Sequence, residues 1–154
     1  MAITPPPVRG QEQRKRDVLE RLEHDIDLWV ATASADGVPC MVPLSFAYVG
    51  GALLLCTRRT NPTALNLLHG DGLVTLGLGH TRDVVLIEAV AEAVESGDLG
   101  DEEGAAFAAR TGGWDPRGEE RWLFFRCRPR TVRAWREENE LKGRLLMRDG
   151  AWLV

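Results

Sequence analysis

Residues 28–57, LWVATASADGVPCMVPLSFAYVGGALLLCT, contain three apolar runs separated by the turn sequences ADGV and GG. Asp-Gly and Gly-Gly pairs favour tight hairpin turns because these residues adopt positive φ angles at little cost. The stretch therefore predicts an antiparallel meander with strands at 28–34, 39–49 and 52–57. Pro43 lies within the second strand, and since proline has no N–H to donate, we expect an edge position or a bulge there.

The rest of the chain continues this pattern of short elements joined by short connections. Helices are expected from Gln11, after Asn61-Pro62 and over 101–110. Strands are expected at 73–78, at 122–135 and on both sides of 149–150. Short turns between most strands indicate a mainly β protein built as an antiparallel barrel rather than a parallel α/β sheet.

The segment 84–95, VVLIEAVAEAVE, fits two structures equally well. As a helix it would place its glutamates on one face, and its alanine content favours this state. As a strand it would alternate apolar residues such as Val85 and Ile87 with glutamates on the opposite side. Local propensity leaves the choice open.

The chain has 154 residues, a net charge of -4 and a pI near 5.4. This length predicts one domain at 11–154, preceded by a flexible tail at 1–10 that contains three consecutive prolines. The acidic balance provides no positive field, so neither nucleic acid nor a membrane is an expected partner. Without a stretch typical of a signal peptide or a transmembrane helix, the sequence favours a soluble cytoplasmic protein.

The cysteines and histidines form no recognisable motif. Cys40, Cys56 and Cys127 lie in apolar strand-like runs without a C-x-x-C pair, which is typical of buried free thiols in a reducing compartment. The histidines lack the spacing of metal ligands, so no metal site is expected. No Ser/His/Asp set or pair of carboxylates indicates hydrolysis, and the catalytic residues stay unknown.

The sequence TRRTNPT at 57–63 follows the third apolar run and opens a short helix. Asn61 as the cap and Pro62 at the first helical position suit a helix start. Leu65 and Leu68 are then expected to face the core. One interpretation is a solvated loop before a capped helix. The other is a phosphate site, because arginine forks and the free amides of a helix start bind phosphate oxygens.

These features together resemble a known family. The stretch ATASADGVPCMVPLSFAYVGGALLLCTRRTNPTALNLL is similar to the core of the pyridoxamine 5'-phosphate oxidase-like proteins, which are flavin-binding split β-barrels. RPRTVRAW at 128–135 resembles the family's C-terminal motif of proline, a hydrophobic residue and tryptophan. The resemblance covers 28–135 and implies a split antiparallel barrel of six to seven strands, of Greek-key type, with short peripheral helices. It also implies that 84–95 is a strand.

The resemblance further implies a homodimer, with a flavin in a groove at the subunit interface and its phosphate held where the third strand meets the helix. The cofactor-binding residues carried over are Thr57, Arg58, Arg59, Asn61, Thr63, Pro43 and Ser45. Thr63 occupies the position at which family members carry a lysine, and no lysine lies nearby in the sequence. Arg58 and Arg59 are expected to compensate, since planar guanidinium groups bind phosphate oxygens well.

On this resemblance the expected function is an oxidoreductase that transfers a hydride between a bound cofactor and a small organic substrate. FMN and the 8-hydroxy-5-deazaflavin coenzyme (F-420 type) both stay open as the cofactor. The alternatives are a barrel dimer that binds a flavin, haem or small ligand without turnover, and a degenerate member with an empty groove. True pyridoxamine phosphate oxidase activity is not expected, because the chain lacks the length and the extra basic residues for that substrate.

Two further residues are candidates near such a site. Trp114 lies in a Gly-Gly-Trp-Asp-Pro loop, where it is placed to roof a flavin ring or a substrate, whereas the other tryptophans are expected to pack in the core. Arg82, in the turn after the strand at 73–78, either approaches the cofactor or the partner subunit or belongs to a solvated turn.

Overall fold

The computed structural model describes residues 2–154 and, within them, contains eight β-strands and three α-helices. The strands are β1 (Asp27–Ala33), β2 (Pro39–Val49), β3 (Ala52–Arg58), β4 (Leu73–Leu78), β5 (Val84–Glu95), β6 (Trp122–Trp135), β7 (Leu145–Arg148) and β8 (Ala151–Trp152). The helices are α1 (Gln11–His24), α2 (Pro62–His69) and α3 (Asp101–Arg110), and a 3-10 turn spans Glu138–Glu140. None of the helices in this described range has the length and apolar character needed to cross a bilayer.

The strands pair antiparallel in the order β3-β2-β1-β4-β5-β6-β7-β8, and β3 also pairs with β6. The β3–β6 pairing closes the first six strands into a barrel, and β7 and β8 extend the sheet beyond it. The neighbours β4-β1-β2-β3 have Greek-key order, because α2 carries the chain from β3 to the far side of β1. The predicted mainly β, split antiparallel barrel is confirmed, with two strands outside its closed part.

The strand β2 divides its pairing between two neighbours. Residues 39–45 pair with β1, whereas 46–49 pair with β3. The first half of β2 therefore has one edge without a partner strand, and Pro43 lies in this half, opposite Trp29. An N–H that faces a free edge has no ladder partner, so proline is tolerated there. The expected edge position of Pro43 is confirmed, and the gap between β2 and the end of β3 opens the barrel wall.

The segment left open by local propensity, 84–95, is the strand β5. Val85, Ile87 and Ala89 are buried in the barrel interior, and the whole strand pairs with β6 around a register shift after Glu88. Burial of these side chains between two neighbouring strands outweighs the helix propensity of the alanines.

Both faces of β3 are covered by apolar side chains. Leu53 and Leu55 point into the barrel core, whereas Leu54 and Cys56 belong to a second cluster outside the barrel that includes Phe107 of α3. This double burial explains why the sequence ALLLC is uninterrupted by polar residues.

The helix α3 belongs to an insertion, residues 96–121, that connects β5 to β6. Glu95 and Leu123 are cross-strand partners, so the chain leaves the sheet and returns to it at neighbouring positions of the same ladder. The insertion packs α3 over the outer face of β2, β3 and β6. It thereby builds a wall beside the opening between β2 and β3.

The prediction that Leu65 and Leu68 of α2 face the core is wrong. Leu65 and Leu68 are 39% and 42% exposed, while Thr63, Ala64 and Leu67 are buried instead. The helix is rotated relative to the expectation because the direction of the barrel core, which the eight-residue pattern does not specify, decides which face is covered. Asn61 holds the predicted N-cap position and Pro62 follows it, but the Asn61 side chain makes no capping hydrogen bond; its amide donates to Thr57 Oγ1 at 3.0 Å.

The segment before α1 is tied to the far end of the chain at Arg9. Its guanidinium donates to both carboxylate oxygens of Glu140, at 3.1 and 2.8 Å, and the backbone N–H of Arg9 donates to Glu140 Oε1 at 3.0 Å. These hydrogen bonds lower the pKa of the buried Glu140 carboxyl to about 2. Met1 lies outside the described residues, and the flexibility of the tail at 1–10 stays a prediction.

Candidate functional site

An open groove of about 440 Å³ lies where β2 separates from the end of β3. Three segments form it: the β1–β2 side, the exit of β3 with the start of α2, and the 96–121 insertion with the first residue of β6. The lining residues are Asp27, Pro43, Leu44, Ser45, Cys56, Thr57, Arg58, Asn61, Phe107, Trp114 and Trp122. Five of the seven residues predicted to bind a cofactor are therefore brought together: Pro43, Ser45, Thr57, Arg58 and Asn61.

Arg58 is the cation of this groove. Its guanidinium carbon lies 5.5 Å from the ring centre of Trp122, a cation–π contact that holds the side chain against the wall. Within residues 2–154 the guanidinium has no ion pair and no side-chain hydrogen bond. Its N–H donors are therefore available to an anion in the groove.

The polar groups beside Arg58 are ordered by one hydrogen bond. Thr57 is buried, and its Oγ1 accepts the bond from the Asn61 side-chain amide at 3.0 Å. Because the hydroxyl oxygen is already an acceptor there, its own proton is free to be donated. The corner thus offers a guanidinium, a hydroxyl and an amide to one region of the groove.

Arg59, in contrast, is engaged elsewhere. Its Nη1 donates to Glu95 Oε1 at 3.0 Å, its Nη2 contacts the other carboxylate oxygen, and its Nε donates to the Glu120 carbonyl oxygen at 3.1 Å. This pairing raises the pKa of the Arg59 guanidinium and lowers the pKa of the Glu95 carboxyl. Arg59 does not line the groove, and a role for it in cofactor binding stays a prediction.

Thr63, which stands at the family's lysine position, is buried in the first turn of α2. Its Oγ1 lies 3.8 Å from the Cys40 Sγ, on the core side of the helix. It is absent from the groove lining, so the charge of the missing lysine is not replaced at this position. Its predicted role as a ligand contact also stays a prediction.

The groove lining also contains an acidic residue, Asp27. Ser45 donates its hydroxyl to Asp27 Oδ1 at 2.7 Å, which holds the carboxylate at the groove margin. Pro43 and Leu44 supply apolar surface next to it. The groove is therefore polarised, with Arg58 and Asp27 both in its lining.

The third wall is aromatic. The rings of Trp114 and Trp122 meet edge-to-face with centres 4.8 Å apart, and Trp114 lies 5.8 Å from Phe107 at an angle of 58°. The indole N–H of Trp122 is buried without a hydrogen-bond partner in the described part of the chain. Sequence reasoning identified Trp114 but missed Phe107, Trp122 and Asp27 as groove residues. The one available signal was the density of aromatic residues between positions 107 and 122.

Cys56 lies in the groove lining but is not poised for reaction. Burial raises the pKa of its thiol to about 12, so the thiolate that would act as a nucleophile is not formed near neutral pH. Among residues 2–154 no three His, Cys, Asp or Glu side chains are grouped so that they could hold a metal ion. The groove lining supplies a guanidinium that can contact an anion and aromatic side chains that can contact a planar ring.

A six-stranded Greek-key barrel opened between β2 and β3, with a groove at that opening, belongs to the split β-barrels. Within this class the chain is a member of the pyridoxamine 5'-phosphate oxidase family, because the family model of that description matches residues 15–136. The predicted family is confirmed. No curated protein matches the sequence significantly.

Several solved structures share the fold. A conserved hypothetical protein from Mycobacterium tuberculosis is 22% identical, with a TM-score of 0.65, over 79% of this chain and 84% of its own. An F420 reductase is 17% identical, with a TM-score of 0.59, over 73% and 93%. The haem storage protein HutZ from Vibrio cholerae is 17% identical, with a TM-score of 0.57, over 75% and 89%. At these identities the similarity establishes the fold alone.

Proposed function

We propose that the protein is an oxidoreductase that binds FMN or the 8-hydroxy-5-deazaflavin coenzyme in this groove and acts on a small organic substrate. The observation that carries the proposal is Arg58, a guanidinium without a protein partner within residues 2–154, held in the groove beside Thr57 and Asn61. Membership of the family and the F420 reductase among the similar folds support the same cofactor class.

The groove residues fit the two parts of such a cofactor. Arg58, Thr57 and Asn61 would hold the phosphate, because a guanidinium fork and neighbouring hydroxyl and amide donors match its oxygens. Leu44, Pro43 and the aromatic wall would face the ring and exclude water from it. When bound, the cofactor supplies the redox chemistry, and the chain's residues supply orientation and electrostatics.

The donor chemistry of the groove favours a flavin-type ligand over haem. Its lining contains no histidine, methionine or tyrosine. Its one thiol, Cys56, stays protonated because burial raises the pKa to about 12. Haem iron is ordinarily held by one of these groups, so this chain's groove offers it no axial ligand. Of the three histidines, His69 lines a different groove, at the C-terminal end of α2.

The proposal includes a homodimer, which is supported by an apolar outer face on β1, β2 and β4. Met41 is 64% and Leu73 is 63% exposed, and cross-strand pairing places Trp29 between Pro43 and Gly77 on the same face. Apolar surface of this kind marks an interaction site on a protein. Since Pro43 belongs both to this face and to the groove lining, a second copy docked here would close one side of the groove. The proposal also takes 11–154 as a single cytoplasmic domain.

The test is a titration of the purified protein with FMN and with the deazaflavin coenzyme in parallel, followed by assay of the reduced complex with electron acceptors. Saturable binding of either cofactor and its reoxidation by an organic acceptor are expected. Binding without turnover would support the non-catalytic carrier instead, and binding of neither cofactor would leave the degenerate alternative.

A further inference from the structure

We propose that Trp114 is the ring-stacking residue of the groove: it contacts one face of the planar, conjugated ring of the same ligand whose anionic tail Arg58 binds. This inference rests on the proposed function and assigns a separate part of the ligand to a separate residue. It concerns the 96–121 insertion rather than the barrel strands that carry the predicted phosphate contacts.

The first observation is the partial exposure of the Trp114 ring. The side chain is 39% exposed although it belongs to an aromatic cluster with Phe107 and Trp122. Phe107 and Trp122 contact the ring, and Trp114 is also one of the residues that line the groove. An indole surface left open beside the buried Phe107 and the half-buried Trp122 is a site at which a planar ring gains both burial and stacking energy.

The second observation is that the Trp114 backbone is anchored. The Thr111 hydroxyl lies 2.8 Å from the Trp114 carbonyl oxygen and 2.9 Å from the Phe107 carbonyl oxygen, which connects the loop to the end of α3. The Gly113 N–H donates to the Ala108 carbonyl oxygen at 2.8 Å. Gly112 and Gly113 have φ angles of 68° and 97°, which L-residues with side chains adopt only with strain. The backbone that carries the indole is thus held in place, and little backbone ordering cost remains for binding.

The third observation is the distance between the two proposed contacts. Both residues are neighbours of Trp122, whose ring centre is 5.5 Å from the Arg58 guanidinium and 4.8 Å from the Trp114 ring. One ligand with the length of riboflavin phosphate can therefore reach both residues. Pro43 and Leu44 also line the groove and supply flat apolar surface beside the aromatic wall. The shape and charge of the groove together fit a conjugated ring joined by a short chain to an anion.

The test compares the binding of FMN and riboflavin, which differ only in the anionic group. Both are measured with the parent protein and with the variants Trp114→Ala, Trp114→Phe and Arg58→Ala. Trp152→Ala, on β8 and outside the groove lining, is the control for the loss of an indole. Affinity is measured by titration, and contact with the ring by the emission of the bound flavin, which stacking on tryptophan quenches. The deazaflavin coenzyme and its tail-free ring are measured in the same way.

Trp114→Ala is expected to lower the affinity for the ligand with the tail and for the ligand without it by the same factor, about tenfold. It is also expected to restore the emission of the bound ring. Trp114→Phe, which keeps a ring and verifies that the loop still folds, is expected to stay within about threefold of the parent protein. Arg58→Ala is expected to lower the affinity only for the ligand that carries the anionic tail.

The two proposals fail in different ways. Unchanged affinities and emission in Trp114→Ala, with tail-dependent loss in Arg58→Ala, would overturn the stacking role and leave the proposed function in place. Equal binding of both ligands, unaffected by Arg58→Ala but weakened by Trp114→Ala, would overturn the phosphate site and support the stacking role. Binding of none of the four ligands would overturn both.

Discussion

Arg58→Ala is the substitution that tests the phosphate site most directly. The guanidinium contacts the Trp122 ring but makes no ion pair or side-chain hydrogen bond within residues 2–154, so its removal leaves no protein group unpaired. Loss of affinity in this variant therefore reports a lost contact with the ligand. A hydrogen bond to a charged group contributes about 1.5–3 kcal/mol, so the Kd for the cofactor is expected to rise roughly 10- to 150-fold.

The assay is a fluorescence titration at one fixed ionic strength with each of the two cofactors. Arg121→Ala is the matched control, because the Arg121 guanidinium lies 5.8 Å from the same Trp122 ring but outside the groove lining. Arg58→Lys keeps the charge and loses the planar fork, so its Kd is expected between those of the parent protein and Arg58→Ala. Identical Kd values for Arg58→Ala and the parent protein would refute the phosphate site. An equal loss in Arg121→Ala would instead show that the affinity depends on indole packing.

Three further predictions concern stability, thiols and assembly. Because the folded-state pKa of Glu140 is lowered to about 2, its contribution to stability is present above pH 4.5, its ordinary pKa, and is lost as the pH falls towards 2. The free energy of unfolding measured in urea should fall by on the order of 3 kcal/mol over that interval. The prediction would be contradicted if Glu140→Gln left the pH dependence of this free energy unchanged. In the native protein at pH 8, a thiol reagent should modify the half-buried Cys40 first, since burial raises the pKa of the other two thiols to about 12; simultaneous labelling of all three would count against their burial. For the proposed homodimer, Met41→Glu should give monomers in light scattering, whereas Leu153→Glu, which places the same charge at an exposed leucine after β8, should not; a dimer that persists in Met41→Glu would exclude this face as the interface.

Much of the barrel could be predicted because its strongest signals are local. Asp-Gly and Gly-Gly turns give positive φ at Gly37, Gly50 and Gly51, and they set the hairpins of β1, β2 and β3. The local sequence does not determine the secondary structure of 84–95. The alanines of this segment favour a helix, and its pairing with β6 makes it a strand. The resemblance to the family supplied that tertiary context.

The groove was predictable at one corner and hidden elsewhere. Thr57, Arg58 and Asn61 lie together because they are close in sequence at a strand exit. Which of two consecutive arginines faces the groove depends on Glu95, a partner 36 residues further along the chain. The aromatic wall requires knowing that α3 folds back over β2 and β3, and no periodicity within 96–121 specifies the element against which its apolar face packs.

The place at which this insertion joins the sheet has a consequence for how such barrels diversify. Because Glu95 and Leu123 are paired across the ladder, residues 96–121 leave and rejoin the sheet at neighbouring positions and contribute no residue to the six barrel strands. The strand exit at Arg58 and the aromatic face at Trp114 are thus inherited through separate segments of the chain. If the proposed function holds, exchange of this one segment between relatives would change the surface that faces the ring while the proposed anchor for the tail stays the same.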